Sequence, residues 1–397
     1  MKRKLLSRTV WVLSLVSLFA DVASEMLYPV LPIYLRHIGF SMLLIGVLEG
    51  VAQGTAGLSK GYFGRLSDQT GLRLPFIRWG YLLAALSKPL LAVSIVPLWV
   101  FGARTLDRFG KGLRTGARDT MLSEEATPQT KGRVFGFHRG MDTLGACIGP
   151  GIALVYLYLY PGHYRPLFYF AFLPGLAAVA LLYLLREKRK PVLATVRESR
   201  YNFFAFLRYW KESPSGYRRL LTGLLLFALF NSSDFFLLLR MKEVGLDDTH
   251  LIGLYILYNL VYALSSYPMG MLADKWGLKR VYLSGLGLFV LVYFGMAAGL
   301  ERWVYLPLIF IYGLYAAATE GISKAWITNI CASENTATAI GTYTAFESIA
   351  ALVASALAGL LWQLYGAAVT FLVSGTVALA VIVYLAITSS APVQKSA

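Results

Sequence analysis

Asp21 and Glu25 stand four residues apart in a run that is otherwise largely apolar from Val10 to Leu35. At that spacing both carboxylates share one face of a helix. Two carboxyl groups so close tend to hold one proton between them, which makes the pair a candidate proton carrier. The competing reading pairs each carboxylate with a cation on another helix. Such cations exist: Arg104, Arg108, Lys111, Arg114 and Arg118 follow three- and four-residue spacing with Asp107 among them, a polar stripe along one helix. Arg104, Asp107 and Arg108 are expected to line a cavity, whereas Lys111 to Arg118 are expected on a solvated face nearer the cytoplasm. His138 and Asp142 repeat the four-residue spacing, with Arg139 beside them. Because histidine changes charge near neutral pH, they are a second proton-relay candidate. The second half of the chain is less cationic. It offers Asn231, Asp234, Glu320, Tyr343 and Glu347 as cavity residues, and Lys324 is spaced to pair with Glu320 within one helix.

These side chains need a scaffold, and the composition says which. Of 397 residues, 57% are hydrophobic and 15% charged, and mean hydropathy is +0.59. That balance suits a membrane protein in a lipid bilayer. Twelve segments are long and apolar enough to cross: about 10–34, 42–63, 76–97, 98–120, 135–160, 166–186, 219–240, 250–273, 280–299, 303–327, 338–363 and 366–388. The runs are continuous and lack a two-residue alternation, so helices are expected and strands are not. An ionisable group at mid-membrane costs about 2.5–3.5 kcal/mol on insertion scales, so the charges above mark function.

The net charge of +16 is placed as orientation signals, not as a nucleic-acid patch. Lys2, Arg3, Lys4 and Arg8 precede the first span, and the insert at 188–217 is mostly basic where it is charged. Arg65, Arg73 and Arg78, and Lys275, Lys279 and Arg280, fall in loops of the same side. Both termini are therefore expected in the cytoplasm, with the chain in the inner membrane. The start imitates a signal peptide, but Asp21 and Glu25 interrupt it, and an uncleaved first span is expected. Cys147 and Cys331 suggest neither a metal site nor a disulfide. No nucleotide loop or nucleophile–base set appears, so neither an enzyme nor a cofactor is expected. The insert divides the chain into halves 1–187 and 218–397. Its aromatic residues suit a surface-lying amphipathic segment, and a plain linker suits them equally.

The halves repeat. Gly64-Arg-Leu-Ser-Asp68-Gln-Thr-Gly71-Leu-Arg73 returns as Gly270-Met-Leu-Ala-Asp274-Lys-Trp-Gly277-Leu-Lys279, an offset of about 206 residues. Gly39 matches Gly245, Gly46 matches Gly253, and Gly136 to Asp142 matches Gly341 to Glu347 at nearly the same offset. Parallel repeats place a solute site between halves that rock to expose it alternately to each side.

The loop G-x-L-[SA]-D-x-x-G-x-[RK] resembles the cytoplasmic loop of the major facilitator superfamily, and the resemblance covers all twelve spans. It implies an all-helical membrane protein of two six-helix bundles related by pseudo-two-fold symmetry, acting as a secondary transporter of a small molecule. It also implies that Gly64, Asp68, Gly71 and Arg73, with Gly270, Asp274, Gly277 and Lys279, gate the halves. The first copy departs from the pattern at Gln69 and Leu72, where basic residues are usual. Gly145-Ala-Cys-Ile-Gly149-Pro150 resembles the signature of the superfamily's antiporter branches, which implies proton-coupled export. Asp107 to Asp119, Gly136 to Asp142 and Glu320 to Lys324 resemble a bacterial and archaeal branch. A monomer is expected. Import of an anionic solute by proton symport is the alternative, since the first half's cavity is net cationic. A receptor or assembly factor of the same fold is the alternative outside transport.

Overall fold

The computed structural model describes residues 6–28, 30–187, 205–232, 234–246 and 248–388. Lys2, Arg3, Lys4 and residues 188–204 of the central insert lie outside the described residues. Every regular element among the described residues is helical. The first expected span is two helices, α1 (Arg8–Glu25) and α2 (Leu31–His37). Ser7 starts α1 by accepting from the Val10 amide at 3.3 Å. Then follow α3 (Met42–Thr70), α4 (Leu74–Val93), α5 (Pro97–Glu124), α6 (Lys131–Leu159) and α7 (Tyr164–Leu181).

The second half repeats the pattern after a short α8 (Tyr209–Glu212). Its first span is again broken, into α9 (Ser215–Ala228) and α10 (Phe235–Glu243). α11 (Asp248–Trp276), α12 (Leu278–Ala297) and α13 (Tyr305–Ile330) come next. α14 (Thr336–Ile387) runs through the last two expected spans, with a kink at Gly366, whose φ is 83°. Six described segments are long and apolar enough to cross a membrane by length and composition. α5 is not among them, because its charged stripe interrupts the apolar run. Leu98 and Tyr158, at 82% and 84% exposure, are surface of a kind that lipid covers.

Helix packing forms two compact units. The first comprises Met1–Glu125, Met141–Lys211 and Ala332–Ala345; the second comprises Ala126–Gly140, Glu212–Cys331 and Phe346–Ala397. The sequence halves are therefore not the packing units: each unit also takes a short segment from the other half. Those segments carry the repeated glycines, and glycine explains the packing. In the first unit, a Cβ on Gly64 would strike the Ala337 carbonyl and Gly341. In the second, a Cβ on Gly136 would strike the Ser266 carbonyl and Gly270. The same pair of repeat positions makes both contacts.

Within the first unit, α5 owes its place to glycines between its charges. Gly110 abuts Gly80 of α4, Gly112 abuts Ser59 of α3, and Gly116 abuts Gly64 of α3. Small residues at such spacing let helix backbones meet. α6 packs on α1 by the same means: a Cβ on Gly149 would lie 2.7 Å from the Met26 amide nitrogen and 2.8 Å from the Val22 carbonyl. Both obstacles are backbone. Gly149→Ala is thus expected to destabilise by about 1–3 kcal/mol in a thermal melt of the detergent-solubilised chain. Gly151→Ala, which meets nothing within 4 Å, is the control and should leave the melt near wild type.

Of the described part of the insert, residues 205–211 pack with the first unit and those from Glu212 with the second. Phe206 is buried, packs against Gly61 of α3, and its carbonyl accepts from Thr342 Oγ1 at 3.4 Å. A plain linker would not bury this ring.

Candidate functional site

The first unit contains a narrow polar cleft with two walls. The end of α1 and the turn after it supply Asp21, Ser24, Glu25 and Tyr28. α5 supplies Arg104, Asp107, Arg108, Lys111 and Arg114. Asp21 and Glu25 stand at the C-terminal end of α1, where the helix dipole favours cations, and the opposite wall supplies cations facing them. Beyond the carboxylates the chain turns apolar: Val22, Met26, Leu27, Leu91, Val100 and Phe168 belong to one buried cluster.

Part of the α5 wall is already paired. Lys88 of α4 donates to Asp107 at 2.6 Å, and Arg104 reaches Asp107 at 3.3 Å. Arg104 also holds Glu49 of α3 in a two-pronged contact, at 2.7 and 3.1 Å. Lys88, Asp107, Arg104 and Glu49 form a ladder across α3, α4 and α5 with equal numbers of each charge. Lys88 and Glu49 were not among the residues singled out by sequence. Each is an ionisable residue inside an expected span, the same signal that marked Asp21.

The expectation of a solvated face from Lys111 to Arg118 is corrected. Lys111 is exposed and borders the cleft, but Arg114 and Arg118 are buried, at 4% and 8% exposure. The Arg114 guanidinium lies over the Tyr81 ring, 4.1 Å from its centroid. Arg118 pairs with the fully buried Asp119 at 2.9 Å and donates to Ser17 Oγ and Tyr81 Oη at 3.3 and 3.4 Å. The glycines of α5 draw α3 and α4 over these side chains, so distance from the bilayer centre does not expose them.

Asp142 joins this network by accepting from Ser17 Oγ. His138 is buried one turn earlier in α6 but belongs to the second unit, whereas Asp142 belongs to the first. Gly145 and Gly149, with Pro150 next in the helix, seat α6 on the stretch of α1 that carries Asp21 and Glu25; a Cβ on Gly145 would lie 3.0 Å from that of Asp21.

Most of the remaining candidates lie in the second unit. Asn231 and Asp234 fall at the break between α9 and α10, inside the expected span 219–240. Asn231 donates to Tyr315 Oη at 3.2 Å, and Asp234 accepts from Tyr312 Oη at 2.7 Å. Glu320 reaches Arg139 at 3.6 Å, and Arg139 donates to Tyr262 Oη. Tyr343 is buried in the first unit, and Glu347 is half-buried in the second.

The duplicated loops are helix caps. Gly71, at φ 66°, ends α3 in the left-handed region, and Gly277, at φ 98°, makes the corresponding turn. In the first unit, Asp68 accepts from the Thr338 amide and hydroxyl at 2.6 and 2.7 Å, at the start of α14, and is braced by Arg73 at 2.7 Å. In the second, Asp274 accepts from the Gly132 and Arg133 amides at 2.8 and 3.1 Å, at the start of α6, and from Arg133 Nε at 2.8 Å. A carboxylate over free amides of a first helical turn is a strong cap. Asp68 lies beyond the expected span; burial pushes its carboxyl above the ordinary value, against the pull of Arg73 and Thr338. Lys279 donates to the Ala386 carbonyl at 2.9 Å.

Three comparisons place this arrangement among known proteins. The sequence profile described as the Major Facilitator Superfamily matches residues 13–257 and 235–397. An MFS-type transporter of Methanocaldococcus jannaschii is 31% identical over 365 residues, covering 90% of this chain and 89% of the relative. A multi-drug resistance efflux pump PmrA homolog of Lactococcus lactis is 23% identical, covering 70% and 69%. Among solved structures, the human organic anion transporter MFSD10 aligns with a TM-score of 0.80 at 17% identity, over 95% of this chain and 99% of that one. The broken first span of each half, the capped repeat loops and the charged cleft accompany a match across the whole chain, which belongs to the major facilitator superfamily.

Proposed function

We propose that this transporter exports a small organic solute in exchange for protons, and that Asp21 and Glu25 carry the proton. The observation that carries the reading is the cleft of the first unit: two carboxylates at the end of α1 face a cationic helix without forming an ion pair to it among the described residues. Carboxylates left open in that way can gain and lose protons during a cycle. The helix bearing Gly145, Gly149 and Pro150 packs on the same stretch of α1, so a change of charge there acts directly on a tight helix contact. Export is supported by the antiporter-like signature and by the efflux function named for the Lactococcus lactis relative.

The chain works as two functional halves, 1–187 and 218–397, joined by 188–217, as a monomer in the inner membrane with both termini in the cytoplasm. Asp68 and Asp274 release and recapture their helix starts as the halves rock. The cavity residues of the second half, Asn231, Asp234, Glu320 and Glu347, contribute solute contacts, and His138 and Asp142 relay protons. Proton symport of an anion is the second reading, favoured by the cationic wall of α5.

Purified protein in vesicles containing a pH dye, screened with a metabolite and siderophore panel, tests this. Proton flux opposed to solute flux is the expected result. Parallel flux would establish symport, and the absence of flux with every solute would favour a receptor.

A further inference from the structure

The cleft of the first unit carries unmet binding capacity of both signs. With Arg104 and Asp107 committed to Glu49 and Lys88, the groups left facing each other are Asp21 and Glu25 on α1 and Arg108, Lys111 and Arg114 on α5. Arg114 is 4% exposed, yet its Nε and Nη1 have no hydrogen-bond partner, and neither does the buried Nε of Arg108. The Tyr81 ring beneath Arg114 fixes the guanidinium plane at 4.1 Å without satisfying those donors. A desolvated, positioned guanidinium with free N–H groups is built for a planar carboxylate.

An anion alone would meet the α1 carboxylates, and a cation alone would meet the α5 cations. The cleft as it stands has only about 10 Å³ of free space, so a solute bearing both charges satisfies both walls once α1 and α5 part to admit it. We propose that the exported solute is a small amphoteric molecule of the amino-acid type, with its carboxylate on Arg108 and Arg114 beside Lys111 and its ammonium on Asp21 and Glu25. The assignment rests on the exporter reading and adds a reason for its direction. Ammonium and proton contest the same two carboxylates, so solute-bound and proton-bound states exclude each other, which is the linkage that exchange requires. A purely anionic solute would instead bind better once those carboxylates were protonated, and the proton would travel with it.

The test uses the full chain in vesicles and, as probes, the standard L-amino acids with their N-acetyl and carboxamide forms. Opposed proton flux is expected for at least one amino acid. Its two derivatives, each lacking one charge, should be weaker by about ten- to a hundredfold, the worth of a hydrogen bond to a charged group. Arg114→Gln should erase the discrimination against the carboxamide, and Arg108→Gln, at a less buried position, should reduce it if the first variant fails to fold. A carboxamide or N-acetyl form that works as well as its parent would overturn the assignment, as would an N-acetyl form that carries protons in parallel. Thermal stabilisation of the detergent-solubilised chain by the same probes separates the two proposals. Stabilisation by the amino acid alone, without proton flux, would keep the solute class and refute coupled export. Proton exchange with other solutes, and no stabilisation by any amino acid, would do the reverse.

Discussion

Lys88→Met should destabilise the protein by about 3–5 kcal/mol, because removing one partner of a buried ion pair strands the other. Lys88 is 3% exposed and holds Asp107, itself 5% exposed, at 2.6 Å. Arg104 remains within 3.3 Å of Asp107, so the loss should fall toward the lower part of that range. Adding Asp107→Leu removes the stranded charge, and Arg104 keeps its two-pronged contact with Glu49. The double variant should therefore recover most of the loss, since buried ion pairs replaced by apolar groups often cost little. Thermal unfolding in detergent checks both. A single variant within about 1 kcal/mol of wild type would mean that the ladder does not hold α4 to α5.

The sequence made the charged cleft visible because a carboxylate in an apolar run is costly wherever the run folds. Asp21, Glu25, Arg104, Asp107 and Arg108 all meet in it. Lys88 and Glu49 carried the same signal, but their meaning lay in which helices adjoin, and that is fixed by glycine contacts far apart in sequence. The breaks after Glu25 and around Asn231 were not legible: both expected spans read as continuous, and hydropathy does not record where a backbone turns. The repeat revealed that Gly136 corresponds to Gly341, but not that each packs on a loop glycine, Gly270 and Gly64 respectively. Depth along the span assigns Arg114 and Arg118 to a solvated face, since position in sequence does not record which helices cover them. Close helix approach buries them instead.

The second large effect concerns coupling. Neutralising both α1 carboxylates, Asp21→Asn with Glu25→Gln, removes the sites that gain and lose the proton but leaves the backbone contacts of Gly145 and Gly149 with α1 intact. The cleft would retain Arg108, Lys111 and Arg114, so a solute could still enter, more weakly where its ammonium rests on the α1 carboxylates, and solute-for-solute exchange needs no proton. Proton-driven accumulation should therefore fall to the level of protein-free vesicles, while counterflow continues at raised solute concentration. Loss of both activities even at saturating solute would point to a damaged fold, which size-exclusion behaviour reports independently.

The most direct measurement is solute accumulation in vesicles under an imposed pH gradient, wild type beside the Asp21→Asn, Glu25→Gln variant, using a solute from the panel. Proton exchange at α1 predicts accumulation in the wild type and none in the variant, with counterflow still measurable at raised solute concentration. Accumulation in the variant equal to that of the wild type would contradict it.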